Sequence, residues 1–172
     1  MNSEMKEGAH HYWAVVPAAG TGQRMGAEVP KQYLRIGSQT VLEHSLDALL
    51  RCARIHGIVV IVAADDERWP GIMERYRDRP VTSAVGGAER SHSVLNGLRQ
   101  LDGQARDDDW VLVHDAARPC VRTSDIDILI DTLAGDSQGG LLGVRVADTV
   151  KRADAQDRIT GTVDRAGLWR AL

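Results

Sequence analysis

Cysteine is scarce: the 172 residues contain two, Cys52 and Cys120, far apart and without a Cys-x-x-Cys pattern. Both are read as reduced thiols of a cytoplasmic protein rather than as a disulfide framework. The histidines lack metal-ligand spacing. His10 and His11 sit near the start, and His44, His56, His92 and His114 are scattered, so a histidine-ligated zinc site is not expected. No apolar run reaches the ~18–20 residues of a membrane span. Residues 1–11 carry glutamates where a secretory signal would need an apolar stretch. There is no basic block and the net charge is −3, so neither nucleic acid nor a membrane is an expected partner. What remains, 43% hydrophobic and 26% charged, reads as one soluble domain with a core of its own. Residues 1–11 read as a flexible extension, and 12–172 as that domain.

Two familiar patterns are also missing from the most informative stretch, Val15 to Lys31. An apolar strand, Tyr12–Val16, breaks at Pro17 and turns through Ala18, Ala19, Gly20, Thr21 and Gly22, with Arg24 and Lys31 following. Small residues let a backbone approach a ligand closely, and successive N–H groups form an anion-binding concavity. The stretch is read as a phosphate-handling loop; its plainer alternative is a tight strand–helix turn. A Walker A motif needs Gly-Lys-Ser/Thr, but Gln23 and Arg24 follow Gly22. A dinucleotide fingerprint needs a third glycine at Met25, and the glycine comes one residue late, at Gly26.

Strand and helix signals alternate along the rest. Thr40 opens a helix with a capping box to Glu43, its apolar face running from Val41 through Ala53 and Gly57 standing just past its end. Ile58–Ala64 has the β-branched, continuous apolar character of a strand covered on both faces. Pro70 stands in the first turn of a short helix reaching Tyr76. Val81–Val85 reads as a strand ending in Gly86-Gly87, and Ser91–Leu101 as a helix despite Gly97. Trp110–Val113 is a strand running into Asp115, Thr123 or Ser124 caps a helix through Leu133, and Leu141–Val146 is a further strand. Thr149–Arg152 and Ile159–Val163 read as an exposed hairpin. The alternation predicts an α/β fold with a mostly parallel sheet and helices on both faces. Ligands of such sheets bind outside the carboxyl ends of the strands, which brings the 17–31 loop, Gly86–Arg90 and Asp115 to one edge.

Each of these has a chemical and a structural reading. Asp115 at a strand end can hold Mg²⁺, a hard cation preferring oxygen, or cap the next turn. Arg118 can clasp a phosphate in two places, or bridge Asp115 or Asp125. Gly86-Gly87 with Ser93 at a helix start can admit a base or ribose, or form a hairpin-like turn.

Pro17-Ala18-Ala19-Gly20, Gly22, Arg24-Met25, Pro30-Lys31-Gln32-Tyr33, Val113-His114-Asp115-Ala116-Ala117-Arg118-Pro119 and Thr162-Val163-Asp164-Arg165 occur in this order. In order and rough spacing the chain resembles the 2-C-methyl-D-erythritol 4-phosphate cytidylyltransferases over residues 12–172. The resemblance implies a Rossmann-like nucleotidyltransferase fold, with a protruding β arm over residues 147–163. It implies that Ala18, Ala19, Gly20 and Gly22 wrap the CTP triphosphate, and that Gly87, Ala88 and Ser93 contact base and ribose. Arg24 and Lys31 would stabilise the transition state, and Asp115 would hold Mg²⁺. Arg118, Thr149 and Arg165 would contact methylerythritol phosphate. The arm would join a homodimer in which Arg165, counted with the catalytic residues, reaches the neighbouring site.

Two departures accompany the resemblance. Ala88 stands where many members carry an acidic residue. The family pattern also continues for several dozen residues beyond Leu172, with a metal-side acidic position and a lysine for the second substrate. A chain closing there is expected to lack part of the site's wall and to leave apolar surface uncovered. The readings carried forward are a cytidylyltransferase for methylerythritol phosphate or another polyol phosphate such as ribitol phosphate, a non-catalytic nucleotide-binding remnant, and a dinucleotide-binding dehydrogenase. Met25 and the His114–Pro119 cluster disfavour the last.

Overall fold

A computed structural model describes residues 10–20 and 29–172. Two compact units divide the chain, one ending at Thr123 and one running from Ser124 to Leu172. The first contains β1 (Tyr12–Pro17), a 3-10 turn (Lys31–Tyr33), β2 (Arg35–Ile36), β3 (Gln39–Thr40), α1 (Val41–Leu50), β4 (Ile55–Val62), α2 (Trp69–Met73), a second 3-10 turn (Glu74–Tyr76), β5 (Val81–Val85), α3 (Arg90–Gln100) and β6 (Trp110–Val113).

Four strands form a parallel sheet in the order β5-β4-β1-β6. From β1 the chain moves outward through β4 to β5. It then returns along α3 and adds β6 on the other side of β1. The strand order therefore reverses beside β1, and in open sheets of this kind ligands bind at such a reversal, outside the strands' carboxyl ends. Apolar residues alternate to serve both faces. Trp13, Val15, Val59 and Ile61 pack with Leu101 in one core cluster. Ala14, Val16, Ile58 and Val60, pointing the other way, are at most 1% exposed. Each fully buried aliphatic side chain contributes about 1.5–3 kcal/mol, so β1 and β4 anchor the unit.

Local chemistry sets the element ends. The α1 capping box is complete: Glu43 N–H donates to Thr40 Oγ1 (3.2 Å), and Thr40 N–H donates to the Glu43 carboxylate (2.6 Å). Two sequence expectations are corrected. Gly57 lies inside β4 rather than past the end of α1, which closes at Leu50. A Cβ on Gly57 would come 2.7 Å from the Trp13 ring, so the glycine answers to a neighbouring strand. Pro17 closes β1 instead of breaking it, a strand-end place that a residue without an N–H tolerates.

Asp109 secures the amino end of the sheet. Its carboxylate accepts from His11 N–H (2.8 Å), Trp13 Nε1 (3.2 Å) and Arg106 N–H (2.9 Å). Desolvation would raise its carboxyl, but these hydrogen bonds and the Arg106 charge outweigh that and hold it at about 2.

In the second unit, α4 (Thr123–Leu133) buries Ile126 and Ile130. β7 (Gly143–Arg145) is shorter than the expected Leu141–Val146, and it stands outside the parallel sheet, paired antiparallel with β10 (Trp169–Ala171). Its partner carries no alternating pattern by which a strand is recognised in sequence. β8 (Lys151–Ala153) and β9 (Ile159–Thr162) form the expected hairpin, exposed at every strand position. Asp154 organises its tip by accepting from Gln156 and Arg158 N–H, both at 3.0 Å.

Candidate active site

The carboxyl end of β1 leaves the sheet under control. Ala18 N–H donates to Ile61 O (2.7 Å), extending the strand's alignment with β4 by one residue. Gln32, 4% exposed, donates its Nε2 hydrogens to Ala18 O (2.7 Å) and Gly20 O (2.9 Å). An amide with two donors is matched to two carbonyls that no strand partner satisfies. Lys31 stands exposed one residue before Gln32. Gly22 and Arg24 lie outside the described residues.

The end of β5 meets this loop through glycines. A Cβ on Gly86 would lie 2.5 Å from the Ala19 Cβ and 3.0 Å from Ser93 Oγ. Only a bare backbone lets β1's exit, β5's exit and α3's first turn approach this closely. Gly86 N–H donates to Val62 O (2.8 Å) and Gly87 N–H to Ser93 Oγ (3.2 Å). Ser93 is 3% exposed. Ala19, Gly87 and Ser93 are thus brought together, with Ala88 exposed beside them.

Beyond β6, Asp115 is held by two arginines. Arg90 donates through Nη2 (2.8 Å) and Nε (3.2 Å) to Oδ1, and Arg118 through Nε (3.1 Å) to Oδ2. Partial burial would raise the Asp115 carboxyl. The Arg90 bond and the charges of Arg90 and Arg118 hold it below the usual range instead. His114 points back, its Nε2 3.0 Å from Arg118 O, and burial lowers its imidazole. Ser45 of α1 reaches the same turn, its Oγ 2.8 Å from Ala116 O. The bridge to Asp115 that was one structural reading of Arg118 is present.

In the second unit, Thr149 is exposed just before β8. Arg165 is exposed as well, its Nη1 donating to Ala147 O at the base of the hairpin.

Four residues acquire importance only in the fold. Gln32 and Tyr33 were visible as part of a motif without a stated task, and Arg90 as the end of a glycine segment. Asp66, just past the expected Ile58–Ala64 strand, had no stated task at all. Tyr33 OH donates to Asp66 Oδ2 at 2.5 Å. Burial, then the bond and charge of Asp66, push this hydroxyl well above the usual phenol range. It is therefore a donor throughout the neutral range. A cleft of about 200 Å³ is lined by the Ala18–Gly20 backbone, Gln32, Tyr33 and the Asp65–Arg68 segment.

Residues 12–172 match the IspD family model, described as 2-C-methyl-D-erythritol 4-phosphate cytidylyltransferase. The chain belongs to that family. Among its relatives, a Pseudomonas putida protein of the family's name is 54% identical over 161 residues, covering 93% of this chain and 68% of that one. A Hahella chejuensis protein of the same name is 51% identical over 162 residues, covering 94% and 67%. A solved 4-diphosphocytidyl-2C-methyl-D-erythritol synthase superposes with a TM-score of 0.83 at 38% identity, covering 95% of this chain and 72% of that one. The Francisella tularensis family member superposes at 0.75 with 31% identity, covering 94% and 69%. Family membership sets the dehydrogenase reading aside and agrees with the strand order: the parallel sheet with flanking helices is the family's fold.

Proposed function

We propose that this chain transfers CMP from CTP to 2-C-methyl-D-erythritol 4-phosphate, releasing pyrophosphate and forming 4-diphosphocytidyl-2-C-methyl-D-erythritol in the non-mevalonate isoprenoid pathway. The observation that carries the reading is the family match across 12–172. It is supported by the meeting of the glycine loop's entry, Gly86-Gly87 and Ser93.

In this reading a phosphate oxygen of the second substrate attacks the α-phosphorus of CTP in line. The phosphate is already an anion at neutral pH, so no residue need act as general base. The chain's task is to bring two polyanions together and stabilise charge at the α-phosphoryl group. Ala18, Ala19, Gly20 and Gly22 wrap the triphosphate, Ala18 as a small residue whose own N–H stays on Ile61 O, while Gly87, Ala88 and Ser93 bind base and ribose. Arg24 and Lys31 carry the compensating charge. Arg118, Thr149 and Arg165 hold the methylerythritol phosphate.

Asp115 would hold Mg²⁺. Among the described residues no group of three or more His, Cys, Asp or Glu is placed to hold a metal. Both Asp115 oxygens accept from arginines here, so it would release one of them to serve an ion that takes one or two carboxylates and completes its shell with water and substrate phosphate. When bound, the ion neutralises phosphate charge. Residues 12–172 would work as one nucleotidyltransferase domain. The exposed β8–β9 hairpin, within the 147–163 arm, would join two copies so that Arg165 serves the neighbouring site. The setting would be the cytoplasm, in keeping with the absence, among the described residues, of any helix long and apolar enough to cross a membrane.

A pyrophosphate-release assay with methylerythritol phosphate, comparing CTP with ATP, GTP and UTP, tests the reading. Turnover is expected with CTP alone. Removing one charged donor costs on the order of 10²–10³ in rate, so Lys31→Ala is expected to come close to abolishing release while leaving the fold intact. Near-normal turnover in that variant would refute the mechanism, and CTP binding without any release by the unaltered chain would mark a non-catalytic remnant.

A further inference from the structure

The 3-10 turn Lys31–Tyr33 has a tertiary anchor on each side of its exposed face. The turn is closed by Tyr33 N–H to Pro30 O (2.8 Å) and Leu34 N–H to Lys31 O (3.3 Å). Three residues of 3-10 backbone have no cooperative ladder to hold them, so their geometry depends on what the side chains grip. Gln32 grips the glycine loop's carbonyls, as above. Tyr33, 6% exposed, grips Asp66. The Asp66 carboxylate is fixed on its other oxygen as well: Oδ1 accepts from Arg68 N–H (3.0 Å) and Trp69 N–H (3.1 Å). Asp66 N–H donates to Ala63 O (3.2 Å), tying it to the end of β4. A continuous path of hydrogen bonds therefore runs from the end of β4 through Asp66 and Tyr33 into the turn that carries Lys31.

We propose that Tyr33 and Asp66 form a strut that positions Lys31 for phosphoryl transfer, acting on catalysis through that lysine and not by touching substrate. The proposal rests on the reading of Lys31 as a transition-state cation. Lysine is a point charge on a flexible stem, and a charged donor is effective only when it stands in place before the charge develops. A displacement near 1 Å at such a group costs roughly a hundredfold in rate. The Asp66 Oδ1 bonds are an Asx turn leading into α2, whereas the Oδ2 bond to Tyr33 crosses between segments, and a phenylalanine would fill the volume of Tyr33 without it.

The test is a double-mutant cycle on the full chain, with Tyr33→Phe, Lys31→Ala and their combination. Transfer is followed with radiolabelled CTP under enzyme excess, and the fold by thermal unfolding. Tyr33→Phe is expected to lower kcat about 10–100-fold, with the KM for CTP within about twofold and the fold retained. In the Lys31→Ala background the same substitution is expected to cost less than about twofold, because residues acting as a unit are non-additive. Asp66→Asn is expected to show the same dependence on Lys31, and it takes the place of Tyr33→Phe in the cycle if that variant does not fold. An equal loss in both backgrounds, or no loss in either, overturns the strut. Full activity of Lys31→Ala alone overturns the reading of Lys31 itself and is seen in the single variant, before any coupling is measured.

Discussion

Gly97→Ala is the substitution for which an isolated helix and this fold give opposite answers. In an exposed helix interior, replacing glycine by alanine stabilises by about 1 kcal/mol. In α3 the new Cβ would come 2.6 Å from Val15 Cγ1, 3.1 Å from Ile61 Cδ1 and 3.2 Å from Val15 Cγ2. Neither neighbour can give way easily. Both are 0% exposed, valine is stiff at its first torsion, and β1 is paired on both edges, to β4 and β6. The helix itself must lift. Overpacking of this kind costs about 1–3 kcal/mol, so against the propensity gain of about 1 kcal/mol the net effect is a loss of up to about 2 kcal/mol. Lifting α3 also draws Ser93 away from Gly87, whose N–H it accepts at 3.2 Å, and CTP affinity is expected to fall with stability. Urea unfolding and isothermal titration with CTP measure the two effects. A variant more stable than the parent, with an unchanged denaturant slope and unchanged CTP affinity, would refute the claim that the helix is held at contact distance.

Two further outcomes follow from buried polar groups. Ser45→Ala leaves the Ala116 carbonyl without the hydroxyl that now lies 2.8 Å away. It is expected to cost about 1–3 kcal/mol, read by denaturant unfolding, and to lower turnover because the same turn presents Asp115. Asp109→Asn is expected to destabilise the chain at neutral pH. The Asp109 carboxyl is depressed to about 2 from an ordinary 3.8, so its contribution is complete above the unfolded value and is lost as pH falls through about 2. Thermal unfolding of parent and variant should converge between pH 4 and pH 2, and a constant difference across that window would contradict the assignment.

Much of the fold was legible because its signals are local. The Thr40–Glu43 capping box needs residues only three apart, and it formed as read. The continuous apolar character of Ile58–Ala64 announced a strand covered on both faces; β4 ends at Val62, with Ile58–Val62 all at most 7% exposed and Ala64 exposed beyond it. Gly57 misled for the same reason. Following the last apolar position of a helix, it has the local appearance of a helix stop. Its requirement comes from the ring of Trp13 on the neighbouring strand. Leu141–Val146 could be recognised as extended, but nothing within it names Trp169–Ala171 as its partner.

For the candidate site, residue types and spacing alone nominated the glycine loop, Lys31, Gly87, Ser93, Asp115 and Arg118, because phosphate chemistry restricts what can stand near it. Tertiary structure decided what those residues touch. It matched Gln32 to two loop carbonyls, laid two arginines on Asp115, and fastened the turn that carries Lys31 to the end of β4 through Tyr33 and Asp66. The stretch from Val15 to Lys31 supplied the small residues and cations of a phosphate loop by itself. Which carbonyls it would need satisfied, and by whom, depended on where β4, β5 and α3 came to rest. A polar side chain far along the chain becomes a partner only when strand pairing closes that distance, and no periodicity of neighbouring residues encodes which pair will meet.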